Sequence, residues 1–139
     1  MSPYTPASKS NNPIIRVLIV DDMPQVRQDL NVLLQLSDEV EVVGEAGDGQ
    51  EAIKQAELLN PDVVIMDLEM PILDGFQATY QIKQRNLAKR VVILSVHSDP
   101  EDIKRAIQAG ADTFIQKGSS YSTLIESIRP NKPQKGELN

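Results

Sequence analysis

The alternation of short apolar runs with amphipathic stretches constrains this chain more than any other feature. Ile14 to Val20, Val40 to Ala46, Val63 to Met66, Val91 to Leu94 and Asp112 to Gln116 read as strands, rich in β-branched residues and too short for helices. Between them, apolar residues recur at helical spacing. Val26, Leu30, Leu33 and Leu34 follow Pro24, and Ala52, Ile53, Ala56 and Leu59 run up to Asn60-Pro61. Phe76, Ala78, Tyr80 and Ile82 make a third such stretch. Ile103, Ala106 and Ile107 face inward after an Asp99-Pro100-Glu101 start and before Gly110. The last helix runs from about Ser119 to Ile128, with Leu124, Ile125 and Ile128 as its buried stripe.

Five strands alternating with five helices predict an α/β fold, a doubly wound parallel sheet between two helical layers. The flavodoxin-like (βα)5 arrangement, with strand order 2-1-3-4-5, is the expected form. Ligands of such sheets bind beyond the carboxyl ends of the strands, where strand order reverses between strands 1 and 3. Strand 1 ends in Asp21-Asp22 and strand 3 in Asp67, while strand 4 ends in Ser95 and strand 5 leads to Lys117. Polar chemistry therefore converges at one edge.

Composition trims the alternatives. The 139 residues suit one domain, and 14 Lys and Arg against 20 Asp and Glu give a net charge of −6, which argues against a nucleic-acid surface. With no cysteine and a single histidine, His97, thiol chemistry and His- or Cys-rich metal sites are excluded. No apolar run approaches the ~20 residues of a membrane span, and no signal-peptide core opens the chain, so a cytoplasmic protein is expected. Residues 1–13 read as a flexible arm, 14–129 as the domain, and 130–139 as a linker-like tail.

Three carboxylates brought together must take up protons or bind a cation. An all-oxygen site points to a hard ion, Mg²⁺ above others. A carboxylate can also attack phosphorus to form an acyl phosphate. Asp67 is the candidate phosphoacceptor, with Lys117 neutralising charge and Ser95 donating a hydrogen bond to the incoming phosphoryl group.

Asp21-Asp22, Met66-Asp67-Leu68-Glu69-Met70-Pro71, Asp74-Gly75, Ser95 and Lys117 together resemble the receiver domain of bacterial two-component response regulators. Leu94-Ser95-Val96-His97-Ser98, Ala109-Gly110-Ala111-Asp112 and Lys117-Gly118 resemble its NarL/LuxR class in particular. The resemblance implies phosphorylation of Asp67 by a sensor histidine kinase. It implies Mg²⁺ held by Asp22, Asp67 and the backbone carbonyl of Glu69, with Asp21 acting partly through water. Ser95 and Phe114 would be the switch pair. Homodimerisation on phosphorylation, and DNA contact only through a C-terminal domain that this chain lacks, follow from the same likeness. The chain is then expected to be a receiver separated from its output domain, the alternative being a natural stand-alone receiver acting through protein–protein contacts. It is not expected to be an enzyme beyond promoting its own phosphorylation and slow dephosphorylation.

Plainer readings stand beside these. Asp22 could be a helix cap, Asp67 a turn residue, Lys117 a solvated loop lysine and Phe114 plain core; the pattern of positions argues otherwise for the first three. His97 reads first as an exposed loop residue, and second, with Glu69, as a tuner of acyl-phosphate hydrolysis. Lys83, Arg85, Lys89 and Arg90 read as a solvated helix end. Three rivals fare worse. A small Mg²⁺-dependent phosphohydrolase of the haloacid-dehalogenase type wants Asp-x-Asp after strand 1, where this chain has Asp21-Asp22-Met23. A flavin carrier wants a phosphate loop there, not two carboxylates. An unphosphorylated interaction module would have lost an acidic or lysine position, and none is missing.

Overall fold

The computed structural model describes residues 13–96 and 99–130. Ten elements alternate along it: β1 (Ile15–Val20), α1 (Pro24–Leu34), β2 (Val40–Ala46), α2 (Gly49–Leu59), β3 (Val63–Met66), α3 (Gly75–Gln84), β4 (Arg90–Ser95), α4 (Pro100–Ala109), β5 (Thr113–Gln116) and α5 (Tyr121–Ile128). The strands form one parallel sheet in the order β2-β1-β3-β4-β5, the expected flavodoxin-like arrangement.

Strand alternation sorts the core into two halves. Leu18, Val20, Val64, Met66, Val91 and Ile93 point to one face, where Ala52, Ala56, Ala78, Ile82 and Ala106 of α2, α3 and α4 cover them. Val17, Ile19, Val63, Ile65, Val92 and Leu94 point to the other, under Leu30 and Leu34 of α1 and Leu124, Ile125 and Ile128 of α5. Small alanines on the first face let three helices lie close to the sheet. Bulkier leucines and isoleucines fill the second, where only two helices serve. A β3 buried on both sides explains its unbroken apolar run.

Local signals set the helix ends. Asp48, Asp74, Asp99 and Ser120 each cap a helix through a side-chain oxygen. Gly110 closes α4 in the left-handed conformation (φ 108°).

Some expectations need correcting. Ile107 does not face inward; it is 62% exposed, because α4 buries only a narrow stripe centred on Ala106. The last helix begins at Tyr121 with Ser120 as its cap, slightly later than about Ser119. The cations at the end of α3 are not merely solvated. Lys83 pairs with Asp112, Arg85 with Glu57 and Lys89 with Asp62. Arg90 donates to the Ser127 carbonyl and to Thr113. They stitch helices to the amino edge of the sheet. One irregularity had no sequence signal: β2 bulges opposite Val17 and Leu18, so that Leu18 aligns with Gly44 rather than Val43. The arm (1–13) falls almost wholly, and the tail (130–139) likewise, outside the described residues, as does His97.

Candidate functional site

Parallel pairing brings the acids together. Val20 and Met66 are rung partners in β1 and β3, and the Asp67 amide donates to the Val20 carbonyl (2.9 Å). Asp21 and Asp67 thus leave the sheet side by side. With Asp22 they form a group whose carboxylate oxygens, one from each, lie within 4.8 Å of one another. Asp21 and Asp67 are buried, and Asp22 is exposed at the rim.

Lys117 is the cation that answers this charge. Its Nζ lies 2.8 Å from Asp21 Oδ2 and 3.5 Å from Asp67 Oδ1. The backbone holds it there: the Lys117 amide donates to the Ser95 carbonyl (2.8 Å) across the β4–β5 pairing. Gly118 follows in the left-handed conformation (φ 92°), which lets the chain turn away directly after the lysine. The other oxygen of Asp21, Oδ1, accepts from the Met23 amide (3.0 Å). Both Asp21 oxygens are therefore engaged by protein donors.

One lysine does not balance three carboxylates. Burial, and next the charge of Asp21, push the Asp67 carboxyl up from 3.8 to about 6; Lys117 pulls it the other way without prevailing. Burial by itself would lower Lys117, but its hydrogen bond to Asp21 and the charges of Asp67 and Asp21 hold it above the ordinary lysine value. A crowded, all-oxygen, under-neutralised group of this kind fits a hard divalent cation.

The loop after Asp67 is closely fitted. A Cβ at Gly75 would run into the Asp67 carbonyl oxygen, and one at Gly49 would run into the carbonyl of Leu73. The Gly49 amide instead donates to that Leu73 carbonyl (2.9 Å), tying the loop to α2. Asp74 is occupied as the cap of α3. Ile72 sits at the loop tip with φ 67°, an unusual conformation for a β-branched residue, and its neighbours close a three-residue turn through Leu73 N–H and Pro71 O (2.7 Å). Glu69 lies exposed in this loop, two residues beyond Asp67.

Ser95 ends β4 and is buried. Alternation puts it on the face of Ile93, and Phe114, the β5 partner of Ile93, packs half-buried against that same face. Asp21, Asp22 and Asp67 are thus brought together, with Lys117 in reach of Asp21 and Asp67, and Ser95 and Phe114 share the adjoining face. Sequence reading missed Arg27. Its Nη1 donates to the backbone carbonyl of Asp21 (2.7 Å) and its Nε to Glu45 (3.0 Å). A basic residue one helical turn past the acidic pair was the available signal.

Doubly wound sheets bind their ligands at the strand-order reversal, and the acidic cluster and Lys117 lie at that point of this sheet. The family model described as the response regulator receiver domain matches residues 17–129, and the chain belongs to that family. The nitrate/nitrite response regulator NarL of Escherichia coli K12 is 32% identical over 119 residues, covering 86% of this chain and 55% of that protein. The transcriptional regulatory protein PdtaR of Mycobacterium tuberculosis is 44% identical over 113 residues, 81% of this chain and 54% of that one. The chain spans about half the length of the curated relatives it matches. Among solved structures, the signal receiver domain of the putative response regulator NarL from M. tuberculosis superposes with a TM-score of 0.79 at 31% identity, covering 86% of this chain and all of that one. A chain of the CheX–CheY–BeF₃–Mg complex of Borrelia burgdorferi gives 0.73 at 26% identity, covering 82% of this chain and 86% of that one.

Proposed function

We propose that residues 14–129 form a phosphorylation-activated switch whose phosphoacceptor is Asp67. The observation that carries this reading is the group of three carboxylates within 4.8 Å, answered by one lysine that reaches two of them. In the reaction, a carboxylate oxygen of Asp67 attacks phosphorus on the phosphohistidine of a sensor kinase. The O–P bond forms as the P–N bond breaks, and the departing imidazole nitrogen keeps the bonding pair. Asp22, Asp67 and the Glu69 carbonyl, with Asp21 partly through water, would hold Mg²⁺, which would neutralise charge on the phosphoryl oxygens when bound.

The protein's own groups do the rest. Lys117 gives the transferred group an ammonium partner already seated beside Asp67. Asp21, with both oxygens engaged, fixes that ammonium. The Ser95 hydroxyl donates to a phosphoryl oxygen, and Phe114 turns inward on the same face, changing the surface made by α4, β5 and α5. Glu69 and His97 tune the attack of water on the acyl phosphate. The changed surface promotes homodimerisation and is read by a DNA-binding output domain. The setting is cytoplasmic; no helix among the described residues is long and apolar enough to cross a membrane.

Incubation with Mg²⁺ and a small acyl-phosphate donor, followed by intact mass, tests the assignment. One phosphoryl adduct is expected on the wild type and none on Asp67→Asn. An adduct that persists in Asp67→Asn overturns it. Donor hydrolysis that continues undiminished in Asp67→Asn would favour the phosphohydrolase instead.

A further inference from the structure

Arg27 meets the acidic corner through the backbone rather than through a carboxylate. Three contacts close a ring around Asp22. Asp21 Oδ1 accepts from the Met23 amide (3.0 Å), the Met23 carbonyl accepts from the Arg27 amide (3.1 Å), and Arg27 Nη1 returns to the Asp21 carbonyl (2.7 Å). Met23, the residue before α1, provides no side-chain cap, so these contacts fix the start of the helix. The guanidinium is in turn held from β2: its Nε donates to Glu45 Oε1 (3.0 Å), and Glu45 Oε2 accepts from Asn31 (3.1 Å). Space is left for it as well, since a Cβ at Gly47 would come within 3.3 Å of Arg27 Nη1.

We propose that Arg27 is a positioning residue for divalent-cation binding, holding the Asp21–Asp22 peptide so that the exposed Asp22 carboxylate stays turned toward Asp67. The proposal rests on the phosphoryl-switch reading of the same site. The ring restrains the backbone on both sides of Asp22 while leaving its side chain at the rim. The planar fork of arginine serves the carbonyl and Glu45 at once, which the single ammonium of lysine does not. Charge and geometry make opposite predictions. A cation beside three carboxylates competes with a metal, so its removal should tighten metal binding if charge were its only contribution. Removal of a positioning contact should weaken binding.

Calorimetric titration of Mg²⁺ into metal-free protein decides between them, with thermal melts in EDTA run on the same samples. Arg27→Met is expected to weaken Mg²⁺ binding about tenfold, the scale of lost outer-shell support at metal sites. Arg27→Lys, which keeps the charge and loses the fork, is expected to stay several-fold weaker than wild type. Unchanged or tighter binding in Arg27→Met, or full rescue by Arg27→Lys, overturns the proposal; a lower melting temperature with unaltered affinity would mark Arg27 as structural only. Should Arg27→Met be unfolded in EDTA, Glu45→Ala carries the test, with a several-fold loss expected and wild-type affinity overturning it. A wild type that takes up no Mg²⁺ would remove the switch reading itself, whereas normal uptake by both wild type and Arg27→Met removes only the role of Arg27.

Discussion

The two edges of the sheet handle acidic residues in opposite ways. At the amino edge, Asp62 and Asp112 are each matched. Asp62 accepts from the Arg16 amide (2.9 Å) and pairs with Lys89, and Asp112 accepts from the Val91 amide (2.8 Å) and from Lys83 (2.9 Å). At the carboxyl edge, Asp21, Asp22 and Asp67 lie together, and Lys117 reaches only Asp21 and Asp67. The amino edge resembles ordinary structural bookkeeping, in which a half-buried acid is hydrogen-bonded to backbone and paired. The carboxyl edge retains an excess of negative charge, which favours the arrival of a cation. Charge imbalance, more than charge itself, separates the functional edge from the structural one.

That contrast can be broken most directly at Asp67. Because its pKa rises from 3.8 to about 6, the folded chain holds that proton more tightly than the unfolded chain does. The associated stability is complete below about pH 4 and is lost as pH climbs through about 6, some 3 kcal/mol in all. Urea unfolding in EDTA should show metal-free protein weakening across this window. Asp67→Asn should flatten that part of the profile and stabilise the apo form at pH 7 by up to about 3 kcal/mol. A flat wild-type profile would mean that the carboxyl edge is better neutralised than its geometry implies.

Asp112→Ala probes the other edge. It strips the acceptor from the buried Val91 amide and the partner from Lys83, so unfolding should become easier by about 2 kcal/mol, with Mg²⁺ affinity unchanged. An altered affinity would show that the two edges communicate. The smallest effect is expected midway between them. Thr79 in α3 is fully buried, and its hydroxyl has no hydrogen-bond partner among the described residues. Thr79→Val should stabilise by about 1 kcal/mol, read from the urea midpoint, since it removes an unpaired polar atom at nearly constant volume.

Much of this was readable in the residues themselves. The β-α alternation announced the sheet, and strand order then put Lys117 beside Asp21 across 96 positions, where its ammonium does lie. What stayed hidden depended on partners that topology alone does not name. Ile107 carries the right spacing for a buried stripe, yet spacing does not tell how wide the covered face of α4 is. Lys83, Lys89 and Arg90 look like a solvated helix end until the strands that begin beside them are placed. Arg27 has an unremarkable local context, and its meaning comes from Glu45, whose reach depends on the bulge in β2. The Asp21 and Asp22 pair was visible from the start; the frame that aims it was not.

The single hydrogen bond from the Asp67 amide to the Val20 carbonyl carries a kinetic consequence. It joins the two acid-bearing strands at their last rung, so the acids cannot separate while that bond is intact. Solvent deuterium should therefore reach this amide only through openings that also dismantle the site. Its exchange reports the free energy of the openings that take the acidic cluster apart in the unliganded protein.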